Sequence, residues 1–274
     1  MAIEARRALA RLAPFADSGA TTIRPAAGLS GRAFRVDCSR GAFALRLAGD
    51  GLAVEAAAAR AAAAAGLGPR VVAAGAGALV VDWLDDAAPL GARALTEPGT
   101  RRRAAAALRA LHRLSPPIAR RLPLAEALVR LRRRAALAID RRGFAAALAA
   151  AEAVGRGESF CHGDAVTANL LDDGARVRLV DFAYAGRGDP LWDVAYLAAD
   201  AGLDAVAEAA LHTAWLGRPR GAAERARLDR FRALAHLVMA LWAATEMAPG
   251  APRRGTVARH LAGFAHATER LPIR

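Results

Sequence analysis

Apolar and polar positions along the chain follow two periods, and the change comes about a third of the way in. Up to about residue 85 the pattern is short and alternating. Ala33–Cys38 and Ala42–Leu47 read as two β-runs joined by Ser39-Arg40-Gly41, a turn signal. The stretch GLAVEAAAARAAAAAGLGP favours helix and is closed by Gly66, Gly68 and Pro69. Two further short strands flank the Gly75–Gly77 turn. From about Thr96 the period becomes helical, predicting helices over Thr100–Leu114, Leu124–Ile139, Phe144–Val154, Leu191–Ala201, Ala205–Leu216, Ala222–Glu246 and Gly255–Glu269. Glu158–Pro190 interrupts them, with short strands near Asn169–Leu171 and Val177–Asp181. The pattern predicts an α+β protein: a small sheet-rich lobe over 1–85, a hinge near Asp82–Asp86 and a larger, mainly helical lobe over 86–274. No internal repeat is visible.

The composition changes this picture little. Of the 274 residues, 55% are hydrophobic and 24% charged, which suits a folded globular chain and excludes a disordered one. The net charge of +13 points first toward nucleic acid. Against that, the chain contains no lysine, and its 39 arginines are scattered along helices as solvated faces, with no nucleic-acid-binding signature. Cys38 and Cys161 form no CxxC pair and no disulfide framework, and no apolar run is long enough to span a membrane. The expectation is a cytoplasmic monomer or homodimer with no nucleic-acid or membrane partner.

The interrupting segment carries the chemistry. ESFCHGDAVTANLLDDGARVRLVDFAYAGRGDP places Asp164 and Asn169 in a D-x-x-x-x-N spacing, with Asp181 at the end of the next apolar run. A packed core has no use for unpaired carboxylates, because burying one costs several kcal/mol. Phosphoryl transfer does: one carboxylate beside the acceptor hydroxyl, and an amide oxygen and a second carboxylate for Mg²⁺ on the nucleotide phosphates. Asp172 and Asp173 read as ordinary surface residues of a turn. Cys161 and His162 are adjacent on a strand and point to opposite faces, which argues against a thiol–imidazole dyad.

The first lobe offers complementary parts. Gly28–Arg32, with Ser30, Gly31 and Arg32, is a small-residue loop suited to backbone contacts with phosphates. Arg46 in the second strand would pair those phosphates, oriented by Glu55 on the following helix. ALVVDWL leads into the hinge, where the Asp82 and Leu84 backbones would meet adenine; Trp83 packs either against that ring or in the core. His112 and His236 read as helix-packing or surface histidines.

Taken together, GLSGRAFRV, FALRL, Glu55, GLGPRVV, VVDWLDD, CHGDAVTAN, LVDFAYAGRGDPLWDVA and HLVMALW resemble the choline/ethanolamine kinase and aminoglycoside phosphotransferase superfamily over nearly the whole chain. The resemblance implies a protein-kinase-like two-lobed fold, with a small antiparallel-sheet N-lobe and a helical C-lobe carrying the acceptor site. It implies ATP and Mg²⁺ as cofactors, Asp164 as catalytic base, and Asn169 and Asp181 as metal ligands. His162 and Asp193 would brace the loop from behind. Arg at position 46, where most of the superfamily has Lys, is similar to the bacterial choline-kinase-like branch.

For the acceptor, a small hydroxyl compound, a quaternary ammonium would need aromatic faces worth about 0.5–2 kcal/mol each. Trp242, Tyr184 and Trp192 are the candidates, while Met239 and Ala183 depart from the choline-kinase pattern. The late helices carry few acids to meet a polycationic aminoglycoside. The leading expectation is a choline- or ethanolamine-like acceptor. The alternatives are an aminoglycoside, thiamine or other small alcohol, or a non-catalytic ATP-binding regulator.

Overall fold

The computed structural model describes residues 2–16, 21–26, 32–49, 51–91, 93–247 and 253–269. Helix α1 (Ala2–Ala10) precedes strands β1 (Thr22–Pro25), β2 (Ala33–Cys38) and β3 (Gly41–Leu47). Helix α2 (Leu52–Ala64) then leads to β4 (Val71–Gly75) and β5 (Ala78–Asp82). The strands pair antiparallel in the order β1-β2-β3-β5-β4.

Alternation along β3 decides what each face of this sheet does. Phe43, Leu45 and Leu47 point to one side and bury with Phe34, Val36, Val80 and the α1 residues Ala5, Ala8 and Leu9. Ala42, Ala44 and Arg46 therefore point to the other side, where α2 lies. α2 owes its close seat to its alanines: Ala56, Ala58, Ala59 and Ala62 bury into the core of the second lobe. Neither α1 nor β1 stands out in the sequence. α1 is short and Arg-broken, and β1 is a mostly exposed edge strand with no alternation to read.

The second lobe opens with β6 (Ala88–Pro89), followed by α3 (Pro98–Leu111), α4 (Leu124–Arg134) and α5 (Arg141–Gly155). The short strands β7 (Ser159–Cys161), β8 (Leu170–Asp172), β9 (Val177–Leu179) and β10 (Gly186–Gly188) come next. Helices α6 (Leu191–Asp200), α7 (Ala205–Leu216), α8 (Ala222–Glu246) and α9 (Arg253–Glu269) complete it. β7 pairs with β10, and β8 lies between β6 and β9. Three differences from the sequence expectation have local causes. α4 stops at Arg134, because Ala135 turns extended. α5 starts earlier, capped by Asp140, whose carboxylate accepts the Gly143 N–H at 2.8 Å. β9 ends at Leu179 because Asp181 takes a left-handed φ of 63°, which no strand accommodates.

α6 is buried all round: every residue from Leu191 to Ala199 is in the core. It is the post on which the β7–β8 loop is mounted.

Candidate functional site

The loop after β7 is tied down from three directions. Asp193 on α6 is fully buried and accepts the backbone N–H groups of His162 (2.7 Å) and Gly163 (2.9 Å), plus His112 Nε2 (3.0 Å). Burial works to raise its pKa, but the His112 bond, the nearby histidines and the backbone donor outweigh it and hold the carboxyl below its ordinary value. The neighbouring Trp192 donates its indole N–H to Gly163 O (3.2 Å). The buried His162 ring reaches across to Val180 O (2.9 Å) and accepts the Asp164 N–H on Nδ1, while burial pushes its pKa down. Gly163 must be glycine: φ is 81°, and a Cβ there would stand 2.3 Å from Tyr184 O.

These bonds hold Asp164 half-buried at the head of the loop. Asn169 donates through Nδ2 to Asp164 O (2.9 Å) and Oδ2 (3.1 Å). The 3-10 turn that carries Asn169 is fixed by Asp200 at the end of α6, whose Oδ2 accepts Thr167 N and Oγ1, both at 2.7 Å. Burial, with Asp181 and Asp200 adding negative charge, raises the Asp164 carboxyl to about 7. A carboxylate poised near neutral pH is suited to take a hydroxyl proton.

Asp181 faces the first lobe. Arg46 Nε comes within 3.0 Å of its Oδ1 without the alignment of a hydrogen bond, so among the described residues that buried oxygen has no donor. Arg46 Nη1 instead donates to both oxygens of Glu55, at 2.8 and 2.7 Å. Glu55 is itself buried, and desolvation raises its pKa against the pull of Arg46. The donor set fits a hard divalent cation. Asp181 Oδ1 is a buried oxygen without a donor, and Asn169, having spent its Nδ2 on Asp164, has its amide oxygen left to offer.

The other predicted positions divide. Ser30 and Gly31 lie outside the described residues. Arg32 turns back to donate to Leu47 O (3.0 Å), so its Nε closes the strand pair and is not held toward a phosphate. In the hinge, the Asp82 side chain pairs with Arg70 (2.8 Å) and its N–H with Arg70 O. The Trp83 N–H goes to Ala42 O. Leu84 follows these bonds at the end of the sheet, half-buried. The Trp83 ring is covered by the Arg35 guanidinium at 4.8 Å.

Among the acceptor candidates, Tyr184 is 52% exposed. Desolvation, Asp164 and Asp181 all push its phenol up, as expected of a ring beside both carboxylates. Trp242 packs half-buried against the helical core. Trp192 corrects the sequence expectation: it is 0% exposed, offers no ring face to a ligand, and serves as a strut under Gly163.

Several residues escaped the sequence. His112 is neither a surface nor a plain packing histidine but a partner of Asp193. Asp172 and Asp173 are not free turn residues: Arg103 Nε meets Asp172 at 2.9 Å, and Arg178 meets Asp173 at 3.0 Å. Arg120 spans to the D-F-A-Y segment, donating to Ala183 O (2.8 Å) and Ala185 O (3.0 Å). Its partners are backbone carbonyls, which leave no trace in side-chain identity. A groove of about 630 Å³ between α4 and α5, lined by residues such as Val129, Arg133 and Leu148, includes none of these groups. Convergent chemistry locates the site, not concavity.

Comparison with known proteins finds a family and solved structures of the same fold. The model of the phosphotransferase enzyme family matches residues 21–231. A choline/ethanolamine kinase family protein from Mesorhizobium loti superposes with a TM-score of 0.76 at 26% identity, covering 97% of this chain and 93% of that one. The choline kinase LicA from Streptococcus pneumoniae gives 0.72 at 16% identity (89% and 93% covered), and LicA is also solved in complex with AMP. The aminoglycoside phosphotransferase APH(4)-Ia gives 0.67 at 16% identity (98% and 99% covered). Comparison with curated protein sequences finds no match.

Proposed function

The chain belongs to the phosphotransferase enzyme family and is a small-molecule kinase; on that premise we propose that it moves the γ-phosphate of ATP, with Mg²⁺, to the hydroxyl of a choline- or ethanolamine-like amino alcohol. The observation that carries this is the Asp164 carboxyl, raised to about 7 and held by Asn169 at 3.1 Å beside the donor-less oxygen of Asp181.

In this account Asp164 accepts the acceptor's hydroxyl proton at its carboxylate as the oxygen attacks the γ-phosphorus. Asn169 keeps that carboxylate aimed, and Asp193, His162 and Trp192 hold the turn from behind. Arg46, aligned by Glu55, meets the nucleotide phosphates. Adenine would lie against the hinge at Asp82 and Leu84. Asn169 and Asp181 would hold the Mg²⁺, which would supply charge neutralisation to the phosphates. An amine head group suits the acceptor side. Asp164, Asp181 and Glu246 are all near enough to Tyr184 to act on its phenol, so a cation there meets carboxylates and an exposed aromatic face. The likeness to a choline/ethanolamine kinase family protein and the AMP bound to LicA support the same assignment.

The test is ADP release with Mg·ATP across choline, ethanolamine, thiamine, glucose and kanamycin. The proposal expects choline or ethanolamine to turn over fastest, with the activity lost in D164N. Faster turnover of kanamycin, thiamine or glucose would replace the acceptor assignment. ATP binding with no release on any acceptor would favour a non-catalytic regulator.

A further inference from the structure

α3 ends against α6 and α7, and His112 at its C-cap is almost wholly enclosed there, its side chain 5% exposed. Both ring nitrogens are engaged. Trp215 on α7 points its indole Nε1 at His112 Nδ1 (3.0 Å), and His112 Nε2 meets Asp193 Oδ2 (3.0 Å). An indole N–H can only donate, so Nδ1 must be the acceptor and the ring proton must sit on Nε2. Nε2–H then donates to Asp193, whose two oxygens already receive the N–H groups of His162 and Gly163. Donors therefore converge on the Asp193 carboxylate from two sides, from Trp215 through His112 and from the backbone N–H groups that lead into Asp164.

We propose that Trp215 is a positioning residue for Asp164: its N–H fixes His112 in the Nε2–H form, and that form keeps Asp193 seated on the two backbone N–H groups that set the Asp164 turn. Without the indole donor the ring proton can sit on Nδ1 instead, which leaves Nε2 with no N–H for Asp193. Asp193 then loses one of its three donors, and its hold on His162 and Gly163 loosens.

Among the described residues, Asp193 from α6 and Cys161 and His162 from β7 and its loop lie close to His112, while His212 on α7 lies beside Trp215, ring to ring at 6.0 Å. His112, Cys161 and Asp193 bring their ligand atoms within 4.8 Å of one another, the raw material of a metal site. The hydrogen bonds argue against that use. Nε2 carries the proton a metal would have to displace, and the Cys161 thiol, pushed well up by burial, donates to Ser159 O (3.5 Å).

The test reads the hydrogen bonds directly. In the full chain labelled with ¹⁵N-histidine, two-bond proton–nitrogen correlation reports the tautomer of each of the six histidines, and H112Q assigns the one of interest. The wild type is expected to show His112 with its proton on Nε2 and none on Nδ1. W215F keeps the aromatic ring and removes the donor. In it His112 should lose the single Nε2–H form, and the His162 and Gly163 amide resonances should shift with that change. In the double variant W215F/H112Q, glutamine offers its NH₂ to Asp193 and has no second tautomer, so the amides should stay near their wild-type positions.

Turnover gives a second readout, and it alone rests on the kinase role proposed above. kcat should fall about fivefold in W215F with KM for ATP moving less than twofold. Wild-type His112 carrying its proton on Nδ1 overturns the proposal. So do His162 and Gly163 amides that stay still while His112 changes form in W215F. If W215F does not fold, H112Q should retain at least tenfold more turnover than H112L, and equal losses would refute the relay. A wrong acceptor assignment would silence the kinetics but leave the tautomer and amide readouts intact, so the two failures are distinguishable.

Discussion

Replacing Asp164 with Asn should make the ligand-free protein more stable while abolishing its chemistry. Burial and the neighbouring Asp181 and Asp200 raise the carboxyl from 3.8 to about 7. Fully expressed, that change penalises the ionised form by about 4 kcal/mol. Water in the open cleft screens part of it, leaving about 1–3 kcal/mol. Asn keeps an oxygen to accept the Asn169 Nδ2 bond, now at 3.1 Å, and carries no charge. Because the folded pKa lies above the unfolded one, the folded state binds this proton more tightly, and wild-type stability falls as pH rises from about 4 to about 7. Roughly two-fifths of the penalty is present at pH 5 and all of it by pH 8. Thermal melts of both proteins at pH 5 and 8 are the assay. For a chain of this length 1–3 kcal/mol is about 2–5 °C, so D164N should melt that much higher at pH 8 and by less than half as much at pH 5. A D164N protein that melts lower than wild type at pH 8, or a gap independent of pH, would refute the reasoning.

Three other perturbations bear on the supports. Gly163→Ala puts a Cβ 2.3 Å from Tyr184 O at a φ of 81°, so a loss of about 2–4 kcal/mol in urea melts is expected, with turnover gone. Arg46→Ala strands the buried Glu55 and should cost about 2–4 kcal/mol; adding Glu55→Gln should recover at least half, and an unchanged melting temperature in Arg46→Ala would sink the pairing. A double-mutant cycle on Arg103 and Asp172, which are largely enclosed at 26% and 13% side-chain exposure, should give a coupling of about 0.5–2 kcal/mol by denaturant titration, above the level of a surface pair.

What could be read in the sequence were residue types that chemistry demands at short spacing. Asp164, Asn169 and Asp181 lie within one stretch, and the alternation of β3 alone places Arg46 on the face opposite Phe43, Leu45 and Leu47. What could not be read were supports whose partners are distant or are backbone atoms. His112 and Asp193 are 81 residues apart, and Trp215 and His112 are 103 apart. Arg120 bonds backbone carbonyls of Ala183 and Ala185, and Asp200 holds Asn169 indirectly through Thr167. Trp192 was misread for a physical reason. A helix buried on every side has no polar face, so its sequence does not say which aromatic looks into the cleft and which into the core. β6, β7 and β10 have two or three residues each, too few for a period to show.

The most direct test of the central claim separates transfer to an alcohol from hydrolysis by water. ³¹P NMR of the protein with Mg·ATP and choline or ethanolamine should show a phosphate monoester growing in step with ADP, absent without the acceptor and absent in D164N. ADP accompanied only by inorganic phosphate, or a monoester that forms equally fast in D164N, would contradict the account.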